Sequence, residues 1–287
     1  MKTCLDRSSP FLKWAGGKTQ LLKQFEAFYP ESFGGYVEPF LGSGAVFFHV
    51  RFLFDPKRIL LADQNEELIN CYQVVRDEVD GLIKLLRSHR VRHSRKHYYA
   101  VRSQGPSELS PVERAARLIY LNKTCYNGLY RVNSGGGFNV PMGSYQNPGI
   151  FDEGGLRRAS RCLADVRLKT SDFRHCQKFA EPGDFVYIDP PYYPISVTSS
   201  FTAYGAKAFD EADQRSLAEV FSELDKKGCL VMLSNSDSPF VRSLYRAYQL
   251  NLVRARRSIN SVGSKRGGVS EVVVRNYDRR ARGKHHA

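Results

Sequence analysis

Residues 37–44 read Val37-Glu38-Pro39-Phe40-Leu41-Gly42-Ser43-Gly44. The short segment Gly35–Glu38 stops at Pro39, a Gly-containing turn follows, and the apolar run Ala45–Phe54 comes next. That order predicts strand, turn, helix. Glycines in such a turn let the backbone approach a ligand closely, and the start of the next helix offers free N–H groups. Arg58–Ala62 (RILLA) predicts a second buried strand ending at Asp63, nineteen residues past Gly44. An acid there can accept both hydroxyls of a ribose. The third glycine of a GxGxxG cradle is missing, because Phe47 takes its place. A nucleoside without a pyrophosphate needs less of that cradle, and S-adenosylmethionine fits the description. Taken alone, a GxG after a strand is more often a plain structural turn.

Working outward, the pattern changes after Asp63. Residues 64–126 read as almost wholly helical, with helices over Glu66–Ser88, Ser94–Ser103 and Pro111–Cys125. Gly128–Tyr145, rich in Gly, Asn and aromatics, suits a hairpin. From about 153 strand and helix alternate again. Helices are expected over Leu156–Leu163, Asp210–Lys226 and Pro239–Ala247. Strands are expected over Val166–Thr170, Phe185–Ile188, Cys229–Ser234, Gln249–Arg254 and Val272–Arg275. The pattern implies an α/β domain, residues 1–63 and 153–287, carrying an inserted helical module, residues 64–152.

Composition narrows the class. The chain has 287 residues, 42% hydrophobic and 25% charged, which excludes disorder and a collagen-like fibre. No apolar run approaches the ~18 residues of a membrane span. The N-terminus MKTCLDRSSP has no apolar core of a secretory signal. The six cysteines are scattered, without CxxC or zinc-ligand spacing, so reduced thiols in a cytoplasmic setting are expected. Lys and Arg total 43 against 29 Asp and Glu, a formal charge of +14. Such a balance suggests a polyanion, usually nucleic acid. Basic residues cluster at Arg87, Arg90, Arg92, Arg95, Lys96 and Arg102, and again at Arg254, Arg256, Arg257, Lys265 and Arg266. The basic tail RRARGKHHA reads as a frayed terminus.

Two further motifs bear on chemistry. Phe11-Leu12-Lys13-Trp14-Ala15-Gly16-Gly17-Lys18-Thr19 ends like a phosphate-binding loop, but position 12 is Leu and no strand precedes it, so the ATPase reading fails. Asp189-Pro190-Pro191-Tyr192 directly follows the strand Phe185–Ile188. The carboxyl ends of strands are where open α/β sheets place ligands. An adenine exocyclic amine is a poor nucleophile because its lone pair is delocalised into the ring. A carboxylate and a backbone carbonyl that each accept one of its hydrogens draw the nitrogen toward tetrahedral geometry and aim the lone pair at a methyl donor. Asp189 and the Pro190 carbonyl would be those acceptors. The prolines fix the turn, and Tyr192 supplies a stacking face. The competing reading is a proline-rich turn with a surface Asp.

FLKWAGGK, VEPFLGSG, LAD and DPPY, in that order, resemble the Dam-type N6-adenine DNA methyltransferases. The similarity runs through residues 10–275 and includes LNKTCYNGLYRVN (121–133), FNVPMGSY (138–145), FTAY (201–204) and RRSINS (256–261). The motif order, with an insertion before DPPY, is that of the alpha group of amino-methyltransferases. The resemblance implies a Rossmann-like sheet of the S-adenosylmethionine-dependent methyltransferases, with a helical target-recognition domain and β-hairpin inserted. It implies that Trp14, Lys18, Asp63 and Asp189 bind S-adenosylmethionine, and that Glu38, Phe40, Gly42, Ser43 and Gly44 line the same pocket. Asp172 and Phe173 match the position that holds the cofactor's adenine. Asp189, Pro190 and Tyr192 match the catalytic group. Tyr126, Asn127, Leu129, Arg131, Pro141 and Tyr145 match hairpin positions that touch DNA, and Lys13 one that reaches the first base pair. Thr124 and Cys125 stand where Tyr and Gly often occur, Tyr130 replaces a Cys, and Ser134–Gly137 is glycine-rich where a charge is common.

The expected activity is therefore methylation of adenine N6 in duplex DNA, within GATC, with the base flipped out because its amine is paired and stacked. A sulfonium donor is already activated, so neither metal nor covalent nucleophile is expected. A cytosine-C5 enzyme would show a Pro-Cys dipeptide, which is absent. Cytosine-N4 transfer and a DNA-binding module without turnover are the alternatives. Double-stranded DNA is the expected partner, the chain is expected to act as a monomer, and a restriction endonuclease, repair marking or a phage role are compatible settings.

Overall fold

The computed structural model describes residues 8–133, 135–194, 209–255 and 269–278. FTAY (201–204), RRSINS (256–261), Lys265, Arg266 and the basic tail lie outside them.

Seven strands form one sheet: β1 (Gly35–Glu38), β2 (Arg58–Asp63), β3 (Arg167–Thr170), β4 (Phe185–Ile188), β5 (Leu230–Ser236), β6 (Gln249–Ala255) and β7 (Val269–Arg275), in the order β3-β2-β1-β4-β5-β7-β6. The first five run parallel, and β7 is antiparallel to both β5 and β6. This is the Rossmann-like methyltransferase sheet that the motif order implied. β1 and β4 are buried at every position, as parallel strands covered on both faces must be. The strand order reverses between β1 and β4, so the crevice beyond their carboxyl ends is the natural ligand site. Asp184 pins the opposite end: its buried carboxylate accepts the N–H of Gly35 at 2.8 Å and that of Glu181 at 2.8 Å, and pairs with Arg58. Gly35 has no alternative there, since a Cβ would lie 2.8 Å from the Asp184 carboxylate.

The helices are α1 (Leu22–Phe25), α2 (Ala45–Phe54), α3 (Glu66–Asp77), α4 (Val79–Val91), α5 (Arg95–Ser103), α6 (Pro111–Thr124), α7 (Glu153–Leu163), α8 (Glu211–Lys226) and α9 (Pro239–Leu244). Strand pleating divides the sheet residues between two cores. Tyr36, Tyr187, Met232 and Val273 face the core built with α1–α7, whereas Val37, Val186, Leu233 and Val274 face α8 and α9.

Two expectations need correction. The single helix over Glu66–Ser88 is two, broken at Glu78 (φ −135°, ψ 34°). Apolar residues continue at helical spacing on both sides, Val74 and Val75 before and Leu82, Ile83 and Leu86 after, so periodicity does not register the break. Both helices pack on α6 and α7, and α3 alone also packs on β2 and β3. The hairpin is not a regular ribbon. Among the described residues it is held by two isolated bridges, Cys125 to Met142 and Val132 to Phe138. Pro141 cannot donate to a ladder, and side chains take over: Tyr98 Oη donates to the Val140 carbonyl at 2.9 Å, and Phe138 and Val140 are buried.

Three histidines surround Tyr120 of α6. The His89 ring stacks on it with centroids 4.8 Å apart, His93 Nδ1 shares a 2.9 Å hydrogen bond with its Oη, and His89 Nδ1 lies 3.0 Å from His97 Nε2. Burial, then His97 and Arg92, push the His89 imidazole down from its ordinary 6.5 to about 4. In that interval the unfolded chain binds the proton that the folded chain refuses, so stability is full above pH 6.5 and is lost as pH falls toward 4. The His89 contribution to the slope is at most about 1.4 kcal/mol per pH unit. Urea unfolding at a series of pH values should show this decline, and His89→Phe, which keeps the stack, should flatten it; an unchanged slope would exclude His89 as its source.

Candidate active site

β4 ends at Ile188 and delivers Asp189 to the crevice beside β1. Lys18 arrives from the N-terminal segment, and its Nζ lies 2.9 Å from Asp189 Oδ2. The lysine is 5% exposed and the aspartate side chain 18%. Ser234 of β5 donates its Oγ–H to Asp189 Oδ1 at 2.9 Å and shares a 2.9 Å bond with Tyr187 Oη. Burial pushes the Asp189 carboxyl up, while Lys18 and Ser234 pull it back. The turn after Asp189 is braced from below. Gln214 of α8 donates to the Pro191 carbonyl at 3.0 Å and accepts from Asn235 Nδ2 at 3.0 Å, and Asn235 Oδ1 accepts the Tyr193 N–H at 3.2 Å. Pro190 is buried, and Tyr192 is half-buried with Lys18 Nζ 4.6 Å from its ring centroid. The Tyr192 hydroxyl donates to Glu271 Oε2 at 2.7 Å. Sequence reading missed Glu271, Ser234, Gln214 and Asn235, because none sits in a recognisable local motif.

The loop after β1 brings the other pocket residues to the same crevice. Gly42 and Gly44 have φ of +49° and +65°, a region that favours glycine. A Cβ on Gly42 would lie 3.0 Å from the Trp14 ring. Asp63, at the end of β2, accepts the Gly42 N–H at 3.1 Å on Oδ2 and the Asn65 N–H at 3.0 Å on Oδ1. Burial pushes the Asp63 carboxyl up and these donors oppose it. Glu38 is buried and accepts the Tyr36 hydroxyl at 2.7 Å, and burial pushes its carboxyl well up. Ser43 is buried in the same turn. Phe40 stacks on buried Phe173, centroids 5.3 Å apart, and Asp172 follows β3. The Asp172 carboxylate is engaged by the Arg174 N–H at 2.8 Å, the Arg174 guanidinium at 3.0 Å and the Gln64 amide at 2.6 Å.

This donor set suits S-adenosylmethionine. Asp63 keeps unused lone pairs for ribose hydroxyls, half-buried Phe40, backed by Phe173, offers an apolar ring surface for a purine, and the desolvated carboxylates of Glu38 and Asp189 favour a nearby cation over an anion.

The DNA-facing candidates form a second cluster. Tyr126 and Tyr145 are 54% and 37% exposed, and Asn127, Arg131 and Pro141 are also exposed, with Leu129 half-buried. Lys13 joins them across the chain: its stem crosses Gly128 and its Nζ lies 4.7 Å from the Tyr145 ring centroid. Asn127 adopts φ +54°. Arg131 Nε donates to Asn139 Oδ1 at 2.7 Å. Further contacts hold the cluster together and join it to Trp14. Buried Asn122 accepts the Lys13 N–H at 2.8 Å and donates to the Lys13 and Gly128 carbonyls at 2.7 and 3.0 Å, and Trp14 stacks on Tyr130 at 5.3 Å. Of the first basic group, Arg87 pairs with Glu153 at 2.6 Å and Arg102 reaches the Val140 carbonyl, so part of that charge is structural.

The family model of the D12 class N6 adenine-specific DNA methyltransferases matches residues 14–259. Among similar proteins, the type II methyltransferase M.MjaIII of Methanocaldococcus jannaschii is 43% identical over 285 residues, covering 93% of this chain and 99% of its own. The type II methyltransferase M1.LlaDCHI of Lactococcus lactis subsp. cremoris is 42% identical, covering 93% and 95%. The DNA adenine methylase of Escherichia coli is 35% identical, covering 94% and 96%. With its motifs gathered at the carboxyl ends of one sheet, the chain belongs to the D12 class N6 adenine-specific DNA methyltransferases, an S-adenosylmethionine-dependent family.

Proposed function

We propose that this protein flips adenine out of duplex DNA and methylates its N6 within GATC, with Asp189, Pro190 and Tyr192 as the catalytic group. The observation that carries the reading is the placement of Asp189: a desolvated carboxylate at the strand-order reversal, next to a half-buried tyrosine ring. When bound, S-adenosylmethionine supplies an electrophilic methyl group. Trp14, Lys18, Glu38, Phe40, Gly42, Ser43, Gly44, Asp63, Asp172 and Phe173 are the residues proposed to hold it. A carboxylate has about four acceptor positions, and Lys18 and Ser234 occupy two at Asp189, so an amine hydrogen still finds one. Asp189 and the Pro190 carbonyl then orient the amine, and Tyr192 stacks on the base.

Residues 64–152 are proposed as the target-recognition insertion, between the catalytic segments 1–63 and 153–287. Its contact face is the cluster of Lys13, Tyr126, Asn127, Leu129, Arg131, Pro141 and Tyr145. A narrow paired loop fits the major groove, where arginine bound to guanine O6 and N7 is the commonest specific contact. The type II names of two relatives favour a setting beside a restriction endonuclease, and the DNA adenine methylase name of a third favours adenine as the methylated base. The chain is proposed to act as a monomer in the cytoplasm; no helix among the described residues is long and apolar enough to cross a membrane.

Asp189→Ala should slow methyl transfer by about 100-fold or more, since a positioned polar contact to the reacting group is lost. DNA affinity should survive. Near wild-type turnover with tritiated donor would remove Asp189 from the mechanism.

Arg131→Ala should reduce discrimination between GATC and single-substitution duplexes by about 1–3 kcal/mol. A uniform loss of affinity on all sequences would instead assign Arg131 to phosphate. Plasmid digestion with methylation-sensitive nucleases checks the target itself, and protection of a different site would refute GATC.

A further inference from the structure

Glu271 lies at the ligand end of the sheet only because β7 is antiparallel. Its start is carried to where β5 finishes, with Glu271 opposite Ser236 of β5 and Val253 of β6. In the same register Val273 lies opposite Ser234, so the pleat puts Glu271, two residues from Val273, on the face that carries Ser234 and Asp189. The neighbours Val272, Val273 and Val274 are fully buried, and Glu271 is the one acid of the strand, half-buried beside them. Half-burying a carboxylate is costly unless a donor compensates it. Here the donor is the hydroxyl of Tyr192, 2.7 Å away.

That bond acts on the Tyr192 ring. The backbone turn fixes the ring at one end, through Asn235 and Gln214. Lys18 contacts the face with its Nζ 4.6 Å from the centroid, a contact that does not determine the ring's tilt. The hydroxyl at the far end does determine it, and a charged acceptor makes the stronger bond. We propose that Glu271 is a positioning residue that locks the Tyr192 ring as the stacking platform for the extrahelical adenine. This rests on the assignment of Asp189 and Tyr192 to the target base.

The test uses the full chain, with single-turnover methylation rates and the emission of 2-aminopurine placed at the target adenine, the latter with S-adenosylhomocysteine as the non-transferring cofactor. Glu271→Leu and Tyr192→Phe should each slow the single turnover by about tenfold, the loss of one hydrogen bond to a charged acceptor. The double variant should be no slower than either, because the two changes remove one interaction. Glu271→Gln, whose amide oxygen still accepts, should recover most of the rate and the wild-type 2-aminopurine signal. Multiplying effects in the double variant, or Glu271→Gln as slow as Glu271→Leu, would overturn the proposal. Should Glu271→Leu fail to fold, Tyr192→Phe against Glu271→Gln decides, and a wild-type rate for Tyr192→Phe overturns it. A Tyr192→Ala variant with wild-type rate and emission would overturn instead the assignment of the base site on which the proposal stands.

Discussion

Burying a lysine as deeply as Lys18 is costly without polar partners, and its Nζ pairs with Asp189 and donates to the Gly16 carbonyl. The pair joins two pieces of chain that share no strand: the irregular N-terminal segment and the turn after β4. Removing either partner would leave an uncompensated buried charge, which typically costs several kcal/mol. The position of Asp189 and the path of residues 13–18 are therefore one constraint. Trp14 then lies over Gly42, whose N–H is held in turn by Asp63.

From that pair the organisation spreads in two directions. Toward the sheet, Ser234 and Tyr187 extend the hydrogen bonding of Asp189, and Gln214 with Asn235 holds the proline turn from beneath. Such a network is strong when every member is satisfied, because the low local dielectric raises both the gain of each bond and the penalty for losing one. Toward the insertion, Asn122 binds both Lys13 and the Gly128 carbonyl, and Trp14 stacks on Tyr130. Residues 13–18 and the loop 126–131 thus meet in a seam of buried and stacked contacts. A methyl donor and a target base must meet within reacting distance, and a seam of buried contacts keeps that geometry.

The irregularity of the loop over residues 126–145 also has a physical basis. A paired strand needs every N–H, and Pro141 has none to give. The loop relies on Tyr98 and on the buried Phe138 and Val140 for its shape. Tyr126, Asn127 and Arg131 stay exposed, although the Tyr126 N–H donates to the Pro141 carbonyl and the Arg131 carbonyl accepts from Asn139.

Local chemistry made much of this legible in the amino-acid order. β1, α2, β2 and β4 fall where apolar runs and their Gly and Pro boundaries predict, and Asp189 is identifiable because a strand, an acid and two prolines are contiguous. Asp63 was legible for the same reason, ending a strand at a fixed spacing from the glycine turn. Contacts made across the chain were not legible. The break at Glu78 is hidden because both halves keep helical periodicity, and it shows only in the tertiary structure, where α3 reaches β2 and β3 and α4 does not. Asn122 meets Lys13 across 109 residues, and nothing near either one announces it. Glu271 reads as one polar residue in a valine strand; its place beside Tyr192 depends on β7 running against its neighbours, a choice of direction that side-chain pattern does not encode but tertiary packing decides.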